Sequence, residues 1–109
     1  MSKFFETFTP PSESGREKPR SYDIKPLSKM DFWRFCTNGI ATGDRAIEIE
    51  KGVLISCLTG WTNITKNGEP VEFESNIDHI IEHVPVAHMR LLVNRITNLS
   101  HLADDELKN

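Results

Sequence analysis

Gly60-Trp61-Thr62-Asn63-Ile64-Thr65-Lys66-Asn67-Gly68-Glu69-Pro70-Val71-Glu72-Phe73 is the stretch that decides the fold. Asn67-Gly68 is a two-residue turn set between strand formers. Both central residues of a type I′ turn need φ > 0, which Asn and Gly adopt most readily. The reading is a strand over 60–64, a tight turn, and a second strand that includes Phe73, with Trp61 and Phe73 among the buried aromatics. Apolar residues at helical spacing lie on both sides. The expected fold class is therefore α+β: a small, mostly helical domain of three to four helices, with one β-hairpin and an extended N-terminal arm.

Working back from the hairpin, Ile47, Leu54, Leu58 and Trp61 fall on one helical face, and Ala46, Glu50, Val53 and Cys57 on the next. The alternation Ile47-Glu48-Ile49-Glu50 suits a strand instead, but the longer stripe favours a helix over 44–58. Asp44 or Thr42 would cap it, and Gly52 would cost about 1 kcal/mol relative to Ala. Further upstream, Tyr22–Leu27 reads as an extended segment ended by Pro26. Ser28 caps a helix over 29–37, Asp31 favours its dipole, and Asn38-Gly39 stops it. Downstream, Ser75 caps a short helix with an Ile77, Ile80, Ile81 and Val84 face. Pro85 opens the last helix at or near its first position, and Met89, Leu92, Val93, Ile96 and Leu99 form its apolar stripe. The acidic tail from Ala103 onward is expected to fray.

Residues 1–20 differ in composition. Pro10, Pro11, Pro19, Ser12, Ser14 and Gly15 do not favour a regular element with a buried face, yet Phe4, Phe5 and Phe8 supply apolar anchors. The expectation is an arm, 1–20, that binds a partner and adds nothing to the fold, and a single domain over 21–109.

At 109 residues the chain holds one domain, and 13 Lys and Arg against 16 Asp and Glu leave a net charge of −3. The basic residues are scattered or interleaved with acids, so the concentrated basic face that nucleic acid requires is not in evidence. No apolar run approaches the ~20 residues of a membrane span. Without a secretory apolar region at the N-terminus, Cys36 and Cys57 read as small core residues in a reducing compartment, a disulfide between them being the lesser alternative. Glu48, Glu50, Glu69, Glu72 and Glu74 form an acidic band, read as solvated surface or as a mimic for a basic partner groove.

His79-Ile80-Ile81-Glu82-His83 matches the H-x-x-E-H helix of inverted zincins, in which the four-residue spacing puts both imidazoles on one face. A further acidic ligand far downstream would be needed, a body this size can hardly enclose a cleft, and Pro85 separates this helix from His88. The expectation is no metal, no cofactor and no catalytic residue. Either cysteine beside a histidine would lie among apolar neighbours that raise a thiol pKa.

The order of signals resembles that of a family of small tailed-bacteriophage proteins described as tail assembly chaperones or morphogenesis proteins. The matching residues are Pro26, Leu27, Gly60, Trp61, Asn67, Gly68, Pro70, Phe73, Pro85, Leu99, Ser100 and Lys108-Asn109, spread over residues 22–109. The Ile-x-Ile alternation and the phenylalanine-bearing arm depart from that pattern. The resemblance implies a non-enzymatic protein that binds a tail or tape-measure protein in the host cytoplasm. The alternatives are a structural virion protein whose arm clasps a neighbour, and an inhibitor of a host protein. Phe4, Phe5 and Phe8 on the arm, and Phe32, Trp33, Met89 and Leu92 lining a groove between the first and last helices, are the expected contacts. Self-association is left open.

Overall fold

The structure, a computed structural model, describes residues 5–36 and 43–108. In chain order these form β1 (Glu6–Phe8), a 3-10 turn (Pro11–Glu13), β2 (Ser21–Ile24), α1 (Lys29–Cys36), α2 (Gly43–Cys57), β3 (Leu58–Thr62), β4 (Thr65–Lys66), β5 (Glu69–Pro70), α3 (Ile77–His83) and α4 (Val86–Lys108). The α+β class and the mostly helical body stand as expected.

The hairpin is real but smaller and differently used. Asn67 and Gly68 have φ of 54° and 82°, as the turn requires, and pair Thr65 with Pro70 and Lys66 with Glu69. The chain over 58–62 instead joins a three-stranded antiparallel sheet in the order β1-β2-β3. The cause is Asn63, whose φ of 65° kinks the chain between β3 and β4. Its side-chain amide donates to the Pro19 carbonyl at 2.8 Å and holds the kink against the segment before β2. Residues 71–75 are not a strand.

β2 is thus the central strand. Tyr22 stands opposite Phe8 on one side and Trp61 on the other. A bulge between Asp23 and Ile24 shifts the pairing with β3. There a Cβ on Gly60 would lie 3.0 Å from an Asp23 carboxylate oxygen, so glycine permits the close approach.

The helices form for the reasons the sequence suggests, with shifted ends. Ser28 Oγ accepts from Asp31 N–H at the start of α1. The Asn38-Gly39 stop and the Thr42 cap lie outside the described residues, as does the side chain of Asp44. Residues 45–50 are helical. Gly52 is explained by packing: a Cβ there would come within 2.6 Å of the Phe35 ring, which seats α1 on α2. α2 passes directly into β3, and the amide of Lys25 satisfies the carbonyl of Cys57 at 3.0 Å. Asn76, not Ser75, caps α3, accepting from the amides of Asp78 and His79. Pro85 sits just before α4 and its carbonyl accepts from Met89 N–H. α4 continues to Lys108, so the tail extends the helix where fraying is expected.

The core joins Tyr22, Ile24, Leu27, Val53, Leu54, Cys57, Leu58, Ile64, Ile80, Val84, Leu92, Ile96 and Leu99. The Leu27 amide donates to Ser100 Oγ at 2.9 Å, tying the end of the extended segment to α4. Cys57 is wholly buried; the Cys36–Cys57 question lies outside the described residues, which exclude the side chain of Cys36. Among the described residues no helix is long and apolar enough to cross a membrane.

The arm corrects an expectation. Residues 5–20 do not stand apart from the fold. β1 pairs with β2, Pro10 and Glu13 are buried, and Glu6 makes two bonds of 2.6 and 2.7 Å with Arg95 of α4. Prolines and serines fail to make a buried regular face by themselves, but an edge strand and a buried ion pair need none. A chain shortened by residues 1–20 should therefore lose several kcal/mol. At about 4–8 °C per kcal/mol for a domain of this size, its melting temperature falls by well over 10 °C. Thermal unfolding of the shortened and full chains checks this.

Candidate functional site

Three groups of side chains stand out, and they differ in what they can do. The first is a buried polar junction under the arm. Glu13 is 1 % exposed and accepts three bonds from Arg20, one from the backbone amide and two from the guanidinium, at 2.8 to 2.9 Å. Those bonds hold its carboxyl down to about 2, from an ordinary 4.5, against the opposing effect of burial. His88, on the first turn of α4, is equally enclosed. Its Nδ1 lies 2.7 Å from the Tyr22 hydroxyl, its Nε2 3.3 Å from Ser12 Oγ and 3.7 Å from Glu13. The nearby Glu13 carboxylate favours the tautomer with the proton on Nε2, and in that tautomer Nδ1 accepts from the Tyr22 hydroxyl. Burial pushes the Tyr22 phenol up to about 12 and the His88 imidazole below its ordinary value. Among the described residues every buried side-chain polar atom of this junction is taken up by another group, so it acts as a joint of the fold.

The second group surrounds Trp61. The indole N–H donates to the Val71 carbonyl at 2.7 Å, and the ring meets Phe73 edge-on at 5.1 Å and stacks on His79 at 5.5 Å. His83 packs against it edge-on. Trp61 and Phe73 do meet, but both are half-buried, because the cluster lies over the sheet's edge and not inside the core. His79 Nε2 donates to the Glu72 carbonyl, which commits that nitrogen. Among the described residues no group of three His, Cys, Asp or Glu side chains is placed to hold a metal ion.

The third is an open groove of about 140 Å³ between α2 and the start of α4, closed at one end by α3. Ile47, Glu50, Lys51 and Leu54 supply one wall, at the i, i+3, i+4, i+7 spacing of one helix face. Val86, Met89 and Arg90 supply the other, with Ile81 between. Leu54 is buried at the floor, whereas Ile47, Ile81 and Val86 are 51 %, 41 % and 63 % exposed. Small-molecule pockets run to ~300–1,000 Å³, so this groove suits side chains of a protein partner better than a substrate.

The expected contact residues scatter. Met89 does line a groove, but one formed with α2 and not α1. Leu92 is fully buried in the core and cannot touch a partner. Phe32 packs edge-on against His101. His101 is twelve residues past Met89 on α4, ~18 Å away at 1.5 Å per residue, so Phe32 and Met89 cannot share one groove. Trp33 is exposed on α1, Phe8 packs on the core, and Phe5 is half exposed. Phe4 lies outside the described residues. The sequence places Ile47 and Ile81 on the apolar faces of their helices, yet both are left exposed at the groove; Val86 precedes the first residue of the stripe assigned to α4. His88 lay on α4's stripe one turn before Leu92, a spacing that pointed to its burial.

Comparisons with protein-family models, with curated proteins and with solved structures give no match to this chain.

The junction makes stability pH-dependent. The Glu13 carboxylate stabilises the fold above 4.5, and this contribution is lost as pH falls through about 2. Neutral His88 stabilises it above 6.5, and that contribution is lost on acidification through its lowered folded value. The melting temperature should be flat from pH 8 to 7, decline below 6.5 and fall again below 4.5. Glu13→Gln should cost about 2 kcal/mol at pH 7, since Arg20 keeps some contact with water. It should also flatten the lower step and deepen the upper one, because the Glu13 charge opposes the lowering of the His88 imidazole. Melting curves across this pH range check both.

Proposed function

We propose that this chain is a non-enzymatic bacteriophage assembly protein that works by binding another protein segment in the α2–α4 groove. The single observation carrying the binding role is the cluster of Ile47, Ile81 and Val86, exposed around a buried Leu54 floor. Isolated exposed apolar residues are ordinary; three converging on one groove mark an interaction surface. Met89 at the groove wall adds a flexible, polarisable contact that adapts to differently shaped partners.

The phage context comes from the resemblance carried by Pro26, Leu27, Gly60, Trp61, Asn67, Gly68, Pro70, Phe73, Pro85, Leu99, Ser100 and Lys108-Asn109. Several of these have structural work in common. Leu27 and Ser100 bond to each other, Trp61 meets Phe73, and Asn67-Gly68 forms the turn. A tail or tape-measure protein is the partner this reading names, held until it polymerises in the host cytoplasm. The virion-protein alternative relied on an arm free to clasp a neighbour, and residues 5–20 fold back on their own body.

Deleting the gene from the phage that carries it should yield filled heads without tails under the electron microscope, and mass spectrometry of normal particles should not find the protein. Val86→Glu in place of deletion should reproduce the defect with the fold intact, because an acidic residue is favourable at the start of α4. Normal particle yields after deletion would overturn the reading. A fixed number of copies in purified particles would replace it with the virion-component role.

A further inference from the structure

The two walls of the groove carry opposite charges that find no mate among the described residues. Lys51 is engaged by Glu48 at 3.6 Å. Glu50 on α2 and Arg90 on α4 make no ion pair or side-chain hydrogen bond among the described residues, although both line the groove. Glu50 is half-buried and Arg90 exposed. An unpaired acid on one wall and an unpaired base on the other, with apolar side chains between them, is a self-complementary arrangement. A two-fold axis through the groove would bring Glu50 of each copy to Arg90 of the other, and would set the Ile47–Ile81–Val86 clusters face to face. In such an isologous interface the same patch serves both partners, so the Glu50–Arg90 contact is made twice per dimer.

We infer that this groove is the interface of a symmetric dimer of the chain, closed by Ile47, Ile81 and Val86 and by reciprocal Glu50–Arg90 ion pairs. The inference rests on the reading of the groove as a protein-binding surface and names its first occupant, a second copy. Dimerisation covers the exposed apolar cluster while the assembly partner is absent. A partner segment that displaces one copy takes over the same contacts, which couples dimer dissociation to partner capture.

The pairing has a signature that no other occupant gives. Glu50→Arg alone places like charges at both contacts of the dimer, and so does Arg90→Glu alone. Like charges brought together across an interface disfavour it, and each variant should weaken self-association by about tenfold or more. An equimolar mixture of the two single variants should recover it as a heterodimer, since each contact then joins opposite charges. The double variant Glu50→Arg with Arg90→Glu should recover the homodimer.

Sedimentation equilibrium over a dilution series reads all four. The wild-type mass should rise from the 12.4 kDa of one chain to twice that value, with the single variants shifted to the monomer. The mixture and the double variant should return to the dimer. Recovery also excludes misfolding as the reason for the loss. A wild-type chain that stays monomeric at every concentration overturns the inference, as does a dimer indifferent to these substitutions. If the wild type is monomeric while Val86→Glu still yields tailless particles, the groove holds only a segment of a different protein. The dimer then fails while the binding reading stands.

Discussion

The bond between the Tyr22 hydroxyl and His88 Nδ1 is the contact on which the rest of the structure depends. It is buried, at 2.7 Å, and joins the central strand of the sheet to the long helix that backs it. Polar groups enclosed in a protein are costly unless paired, so Tyr22 and His88 are tolerable only together. The same requirement draws in the arm. Ser12 faces the other nitrogen of His88, and Glu13 needs Arg20 to remain charged while enclosed. No described buried side-chain nitrogen or oxygen is left without a partner. The arm, the sheet and α4 are thereby coupled through one set of interactions, and removing a member costs its direct partner a bond.

That coupling bears on function by accounting for the chain's surfaces. The arm supplies a strand and a buried acid to its own body, and Phe8 packs on the core. The first turn of α4 is divided between two tasks: His88 faces the junction, while Val86, Met89 and Arg90 face the groove. A helix anchored on one side by a buried hydrogen bond presents its other side rigidly. Such fixed presentation lowers the ordering cost of binding, so a shallow groove can hold a partner without a large contact area.

Much of this was legible in the sequence, and the rest was hidden for identifiable reasons. Asn67-Gly68 announced its turn because few residue pairs adopt that backbone. The Ile47–Leu54–Leu58 spacing outweighed the Ile-x-Ile alternation and correctly favoured helix over 45–50. Strand partners were harder. A period-two pattern tells which residues share a face, not which strand lies alongside, and the left-handed Asn63 that sends 58–62 to β2 has no distinctive signature. The arm misled because its composition speaks only of regular structure. Glu13 is held by Arg20 seven residues on and lies 3.7 Å from His88 of α4, a meeting that no local pattern reveals. Of the expected contact residues, Leu92 followed the core stripe and was buried with it, while Met89, three residues earlier, turned to the groove. The exposed Ile47 and Val86 became visible as a surface only once α2 and α4 were side by side.

The central claim is that the arm is an integral part of the fold, joined to α4 through polar contacts, and so is not free to act as a separate binding arm. Native-state hydrogen exchange of the full chain tests it most directly. The account predicts that the amides of β1 and of Arg20 exchange with the same opening free energy as those around Leu92 and Ile96, because they open together with the junction. Exchange of the arm at nearly unfolded rates, with α4 still protected, would contradict it.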